Sequence, residues 1–136
     1  MRTYSSPADR PPRVSYHVVD PDEVAPTAEY PCDRRSISDA ADLANVAVTI
    51  YDLTPGDQLA RTYHSHEHRE EIFHVLAGRL WVETPDREYE VPDGSVFVAT
   101  PGSPHRAYNP EDAGGSVRVL GIGAPRGDPA VPYDEA

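Results

Sequence analysis

Lysine is absent from this 136-residue chain; all 12 basic residues are arginine. Against 23 acidic residues they leave a formal net charge of −11. A surface of that sign repels phosphates, which argues against a nucleic-acid or anionic-membrane partner. The acidic, lysine-free composition resembles that of proteins adapted to high salt, where screening relieves self-repulsion. An acidic protein from a GC-rich genome would share it; the halophilic reading is the expectation carried forward. Cysteine is nearly absent too. Cys32 stands alone, so no disulfide can form within the chain, and one thiol says nothing of redox compartment. No apolar run approaches the eighteen or so residues of a membrane span. The opening MRTYSSPADRPP has no apolar core of the secretory kind, so the expected setting is cytoplasmic.

Convincing amphipathic helices are lacking as well. Residues 1–12 are polar and carry prolines without periodicity. Val14–Asp20 could form a short edge strand, and Pro21, Pro26 and Pro31 mark a wrapping loop through residue 39. Ser38–Asn45 offers one helical turn with Ser38 as its cap. From Asn45 onward the pattern changes to short β-like runs at 45–53, 58–66, 71–77, 80–84, 87–91, 95–99, 105–109 and 116–123. Proline, glycine and aspartate punctuate them. Short strands at such spacing imply an all-β sandwich or barrel of the jelly-roll kind. The organisation expected is an extended N-terminal arm and wrapping loop over 1–44, a β-barrel over 45–123 and a surface tail over 124–136.

Histidine is concentrated where the strands are. Of six histidines, His64, His66, His68 and His74 fall in one short stretch, and His105 follows a Pro-Gly-x-Pro turn. On a strand, His64 and His66 share a face with Cα atoms about 7 Å apart. After a turn, Glu71 returns beside them with an anionic oxygen, and His105 can complete the set. Three imidazoles and a carboxylate suit one divalent transition ion (Mn, Fe, Co, Ni or Zn). Calcium and magnesium would want more oxygens. A His66/His68 pair would leave only two residues before Glu71, so His68 is read as a loop residue or a donor to a ligand. Glu70 is an alternative to Glu71, which strand parity favours. His74 falls on the opposite face, outside the barrel.

Two segments resemble the metal-binding motifs of the cupin superfamily. The first runs Gly56, His64-Ser65-His66, four residues, Glu71, six residues, Gly78; the gap after Gly56 is seven residues, where the family usually has five. The second runs Gly94, Pro101-Gly102, His105, Asn109, with Thr100 where a proline is usual. The resemblance implies a cupin-type jelly-roll β-barrel holding a divalent metal on His64, His66, Glu71 and His105. It also implies a coordination position open to a small-molecule ligand in the barrel, and a homodimer paired through sheets. Cupins use such sites for dioxygenation, isomerisation, decarboxylation or ligand sensing. The expectation is therefore a metal-dependent enzyme, oxygenase- or isomerase-like, on a small organic molecule; the alternative is a non-catalytic metal or small-molecule binding or sensing protein. By alternation, Thr62, Phe73, Val75, Ala107 and Asn109 should face inward and Arg106 away from His105. That lining would fit a neutral or aromatic ligand. Thr49, Tyr51 and Tyr63 are candidate rim residues, and Tyr133 could close the mouth.

Overall fold

The computed structural model describes residues 15–134. Ten strands occur among them: β1 Asp33–Ser36, β2 Ala47–Leu53, β3 His64–His66, β4 Glu70–Ala77, β5 Leu80–Glu83, β6 Glu88–Val91, β7 Val96–Ala99, β8 Arg106–Tyr108, β9 Val117–Ala124 and β10 Ala130–Pro132. One sheet has the order β1-β2-β9-β4-β7. Opposite it lie a three-stranded sheet, β6-β5-β8, and a two-stranded one, β10-β3. A bridge between His64 and His105 joins β3 to the segment entering β8. The two smaller sheets thus act as a second wall, and the molecule is an all-β jelly roll of the kind the sequence implies.

The core fills the gap between the walls. Alternation along β9 buries Val117, Val119, Gly121 and Gly123 and leaves their neighbours half-buried. Leu53, Phe73 and Val75 meet Leu80, Val82 and Ala107 from the opposite wall. Full burial of each larger apolar side chain favours folding by about 1.5–3 kcal/mol, so this seam keeps the walls in register. Gly121 and Gly123 permit a second kind of packing. A Cβ on Gly121 would lie 2.8 Å from the Tyr51 ring, and one on Gly123 would lie 2.8 Å from Cδ of Arg69. Both side chains therefore lie directly over β9.

Residues 21–44 are more ordered than their prolines suggest. Val14 lies outside the described residues, and residues 15–20 form no strand. A 3-10 turn follows at Pro21–Glu23, capped by Asp20, whose side chain accepts from the Asp22 amide. The wrapping loop then contains β1, which pairs antiparallel with β2. Arg35 ties the loop down, bonding Asp33 and the carbonyls of Pro21, Asp22 and Val24. The helical turn α1 spans Ile37–Ala40, earlier than expected. Its cap is Ser36, which accepts from the Asp39 amide at 3.1 Å, while Ser38 is buried against Val48.

The run expected over 58–66 is a strand only at 64–66, with an isolated bridge at Gln58. Residues 130–132 of the expected surface tail form β10 against β3 and are exposed throughout. No helix among the described residues is long and apolar enough to cross a membrane.

Candidate metal centre

Three elements bring the histidines and Glu71 together. On β3, strand alternation turns His64 and His66 inward and leaves Ser65 between them half-buried. The turn before β8 then lays His105 beside His64. The His64 amide donates to the His105 carbonyl at 3.2 Å, and the His105 amide donates to the His64 carbonyl at 2.9 Å. The Gly102 amide donates to the His66 carbonyl at 2.7 Å, fixing the Pro-Gly turn against the same strand. Glu71, second residue of β4, reaches in from the opposite wall. Glu70 beside it is exposed, as parity requires.

All four expected residues meet in one place. His64, His66 and Glu71 each offer a ligand atom within 4.8 Å of the others'. His105 joins through Glu71, its Nε2 lying 3.0 Å from Oε2, while His66 Nε2 lies 3.2 Å from Oε1. The His64 ring centroid is 5.0 Å from that of His66 and 5.4 Å from that of His105.

The outer nitrogens explain the orientation. Nδ1 of His64 faces the Thr62 carbonyl at 2.8 Å, that of His66 the Asp128 carbonyl at 3.0 Å, and that of His105 the Ser103 carbonyl at 2.9 Å. A carbonyl only accepts, so each Nδ1 carries the hydrogen and each Nε2 is left to face the centre. Nε2 of His66 and of His105 then confronts a carboxylate oxygen, and two acceptors at such distances need a positive charge between them. A proton supplies it at one level; a divalent cation supplies it for the whole cluster. The donor set thus fits a first-row transition ion.

The electrostatics agree. Burial alone would raise the Glu71 carboxyl, but hydrogen bonds from His105 and His66 outweigh it and hold that carboxyl well below the usual range. Burial would lower His105, yet Glu71 and the Ser103 carbonyl raise it. His64 is lowered by burial, which the Thr62 carbonyl and the Glu71 charge only partly offset.

Two further residues complete the centre without having been legible in the motifs. Arg69 donates to Glu71 Oε1 at 3.2 Å and to the Pro125 carbonyl at 3.1 Å, and it also bonds the Arg126 carbonyl. Asp128, whose carbonyl orients His66, also accepts on its carboxylate from the His68 amide at 3.1 Å and the Arg69 amide at 3.3 Å. His68 itself is an exposed loop residue, its Nδ1 3.2 Å from the same carboxylate.

The cluster opens onto a cavity of about 560 Å³. Phe73, Ala107 and Thr62 line it as alternation suggests, and so does Tyr51. Val75 is instead core. Asn109 is a structural clamp, donating to the carbonyls of Leu53 and Gly115 at 3.1 and 2.9 Å. Tyr63 and Tyr133 pack on each other as tilted rings with centroids 4.8 Å apart, and it is Ala130 and Pro132 of β10 that border the cavity. The lining also carries charge. Arg34, Arg61, Arg69 and Arg106 all reach it. The first lies on β1 in the wrapping loop, and Arg106, expected to point away, bonds Glu83 and Gln58 at the rim.

Known proteins share this architecture. The polyketide cyclase RemF from Streptomyces resistomycificus superposes with a TM-score of 0.71 at 23% identity, over 90% of this chain and 88% of that one. KdgF from a Halomonas species gives a TM-score of 0.66 at 20% identity, over 83% of this chain and 96% of that one. A candidate sugar phosphate isomerase from Acidithiobacillus ferrooxidans gives 0.61 at 22% identity over 68% of this chain, which spans only 58% of that protein. At these identities the likeness is one of fold. No curated protein sequence matches the chain. A family model described as the cupin domain matches residues 49–122, which run from the middle of β2 into β9 and contain all four clustered residues. With that match over more than half its length, the chain belongs to the cupin domain family.

Proposed function

We propose that the protein is a metal-dependent enzyme acting on a small organic molecule, its ion held by His64, His66, Glu71 and His105. The observation that carries this reading is the common direction of the donors. Three Nδ1 atoms are tied to carbonyls, so the Nε2 edges and the Glu71 carboxylate are left around one point on the cavity wall. Four protein ligands leave positions free on a five- or six-coordinate ion, and a free position separates a working metal from a structural one. Bound there, a divalent ion would polarise an oxygen of the substrate.

The chain's own residues supply the rest. Arg69 shares Glu71 and so holds that carboxylate in place. Tyr51 borders the cavity, and burial raises its hydroxyl above the ordinary range, so it keeps its proton and can donate a hydrogen bond to an oxygen on the substrate. Phe73 and Ala107 keep part of the wall dry. The names of the cyclase and isomerase neighbours support turnover over passive binding. The homodimer belongs with this proposal. Ile72, His74, Leu120 and Ile122 lie on the outer face of the five-stranded sheet, with Val96 and Val98 50% and 62% exposed beside them.

Elemental analysis of protein purified without chelator or nickel affinity resin tests the centre. About one equivalent of a first-row ion in the wild type, lost in His105→Ala, is the expected result. Iron would direct assays to oxygen consumption; manganese, cobalt, nickel or zinc would direct them to isomerisation, lyase or hydrolytic chemistry. No metal after reconstitution would sink the reading.

A further inference from the structure

The cavity carries the opposite charge to the protein around it. In a chain with a net charge of −11, the only acidic residue bordering the cavity among the described residues is Glu71, against four arginines. Two of those are already balanced: Arg69 by Glu71, and Arg106 by Glu83 at 3.2 Å. Arg34 and Arg61 are not; neither forms an ion pair with a carboxylate among the described residues. Arg34 donates to the Thr27 hydroxyl at 3.0 Å and lies beside the Tyr51 hydroxyl. Arg61 donates to the Glu29 carbonyl at 3.2 Å. A guanidinium has five N–H donors, so most of the hydrogen-bonding capacity of these two faces the cavity or solvent.

Their placement is shared. Arg34 lies 5.3 Å and Arg61 4.7 Å from the centroid of the Tyr30 ring, which borders the cavity and is fixed through its hydroxyl to the Leu59 carbonyl at 2.9 Å. A protein with nearly twice as many acids as arginines has set two cations on one ring with no carboxylate paired to either among the described residues. Planar, weakly hydrated guanidinium groups in that situation are suited to bidentate capture of an oxyanion.

We propose that Tyr30, Arg34 and Arg61 form an oxyanion subsite at the mouth of the cavity. It binds a carboxylate or phosphate group of the substrate while the reacting end lies at the metal centre. This rests on the reading of His64, His66, Glu71 and His105 as ligands only for the second half of that statement. The subsite itself depends on no metal. It also replaces the neutral ligand that the alternation pattern suggested with an anionic one.

Calorimetric titration of wild-type protein with acetate, glutarate, benzoate, inorganic phosphate and the neutral control benzamide is the test. Metal content is measured on the same samples. At least one anion should bind and benzamide should not. Arg34→Gln and Arg61→Gln should each weaken the binding about ten- to a hundredfold, the range for a charge-assisted hydrogen bond. Arg34→Lys, which keeps the charge, should recover part of the loss, and thermal melts of each variant report whether it folds. Whether the carboxylates or phosphate show the arginine dependence identifies the group. Arginine-dependent binding in protein without metal would uphold the subsite even if the metal reading failed. Equal affinity in the arginine variants, equal affinity for benzamide, or no anion bound by the wild type would overturn it.

Discussion

His64 and His105 are partners twice over: each donates its amide to the other's carbonyl, at 3.2 and 2.9 Å, and their rings converge on the same Glu71 cluster. That exchange is what joins β3 to the β8 wall. An ion bound to both rings would clamp the seam from the side-chain end as well. A native-state ligand at a hundred times its Kd stabilises by about 2.7 kcal/mol, worth on the order of 10 °C in melting temperature for a domain of this size. Chelation should lower the melting temperature by that order, and restoring the ion should reverse it. In His105→Ala the backbone exchange persists, so far-UV dichroism should be unchanged while the metal-dependent increment disappears. A melting temperature indifferent to chelator in metal-replete wild type would argue against the clamp.

Asp128 should matter to the centre although it touches no ion. Its carbonyl orients His66, and its carboxylate accepts from the amides of His68 and Arg69, drawing the turn before Glu71 onto the segment before β10. Burial slightly opposes the ionised carboxylate, but the His68 amide outweighs it and keeps the group below the usual range, charged at neutral pH. Asp128→Ala should loosen this turn and weaken metal binding by about tenfold, the lower end for losing support behind a ligand. His68→Ala removes only an exposed ring and should leave affinity nearly unchanged. Competition with a fluorescent chelator measures both. Equal losses in the two variants would place the effect on His68.

Part of the cluster was legible in the sequence because it is local. His64, His66 and Glu71 fall on two strands joined by a short turn, where a period of two decides which side chains share a face. Asp128 was not legible, since it lies 62 residues from the ring it orients and carries no spacing signal. Arg34 was hidden for a different reason. Asp33-Arg34-Arg35-Ser36 reads as a polar loop, and charged residues are how an edge strand avoids pairing with other chains. Only its pairing with β2 brings Arg34 to Tyr51, its partner in register. The last strand, Ala130–Pro132, is exposed throughout and so shows no alternation. Alternation turned Val75 and Asn109 inward correctly but could not tell core from cavity, because a face that points inward serves the core at one end of the barrel and the cavity at the other.

Gly123 gives a test of how Arg69 is positioned. A methyl group there would press on Cδ of Arg69 at 2.8 Å, a contact that only movement of the side chain relieves. Arg69 would then move from Glu71 and from the carbonyls of Pro125 and Arg126. Gly123→Ala should cost about 1–3 kcal/mol, as overpacking does. Metal affinity should fall with it, because Glu71 loses its restraint. Denaturant unfolding and metal competition on one preparation measure both. Unchanged affinity with reduced stability would show that Glu71 holds its place without Arg69.

The apolar outer face of the five-stranded sheet makes the homodimer testable. Val96 and Val98 lie on the edge strand β7 opposite His74 and Ile72, so a twofold pairing of this face would bury them against their own copies. Val98→Glu would place like charges at that contact. Sedimentation velocity should give a dimer for the wild type and a monomer for the variant at the same concentration, with metal content unchanged. A wild-type monomer at micromolar concentration would remove the dimer from the proposal.

Cys32 and Tyr30 should make the fold sensitive to alkali. Both are packed against the Leu59 carbonyl, the hydroxyl at 2.9 Å and the sulfur at 3.8 Å. Burial pushes the Cys32 thiol up to about 12 and raises the Tyr30 hydroxyl well above its ordinary value. In the unfolded chain the thiol ionises near 9 and the phenol near 10. Between pH 9 and 12 the unfolded state therefore releases protons that the folded state retains, and stability must fall as pH rises. Below pH 9 both states keep these protons and the contribution is complete. Melting temperature should decline steadily from pH 9 upward, and Cys32→Ser together with Tyr30→Phe should flatten that decline. Native Cys32 should also react slowly with iodoacetamide at pH 8, because the thiolate is scarce and the sulfur is buried. Rapid alkylation at pH 8 would mean that the wrapping loop opens readily and that this packing does not hold it.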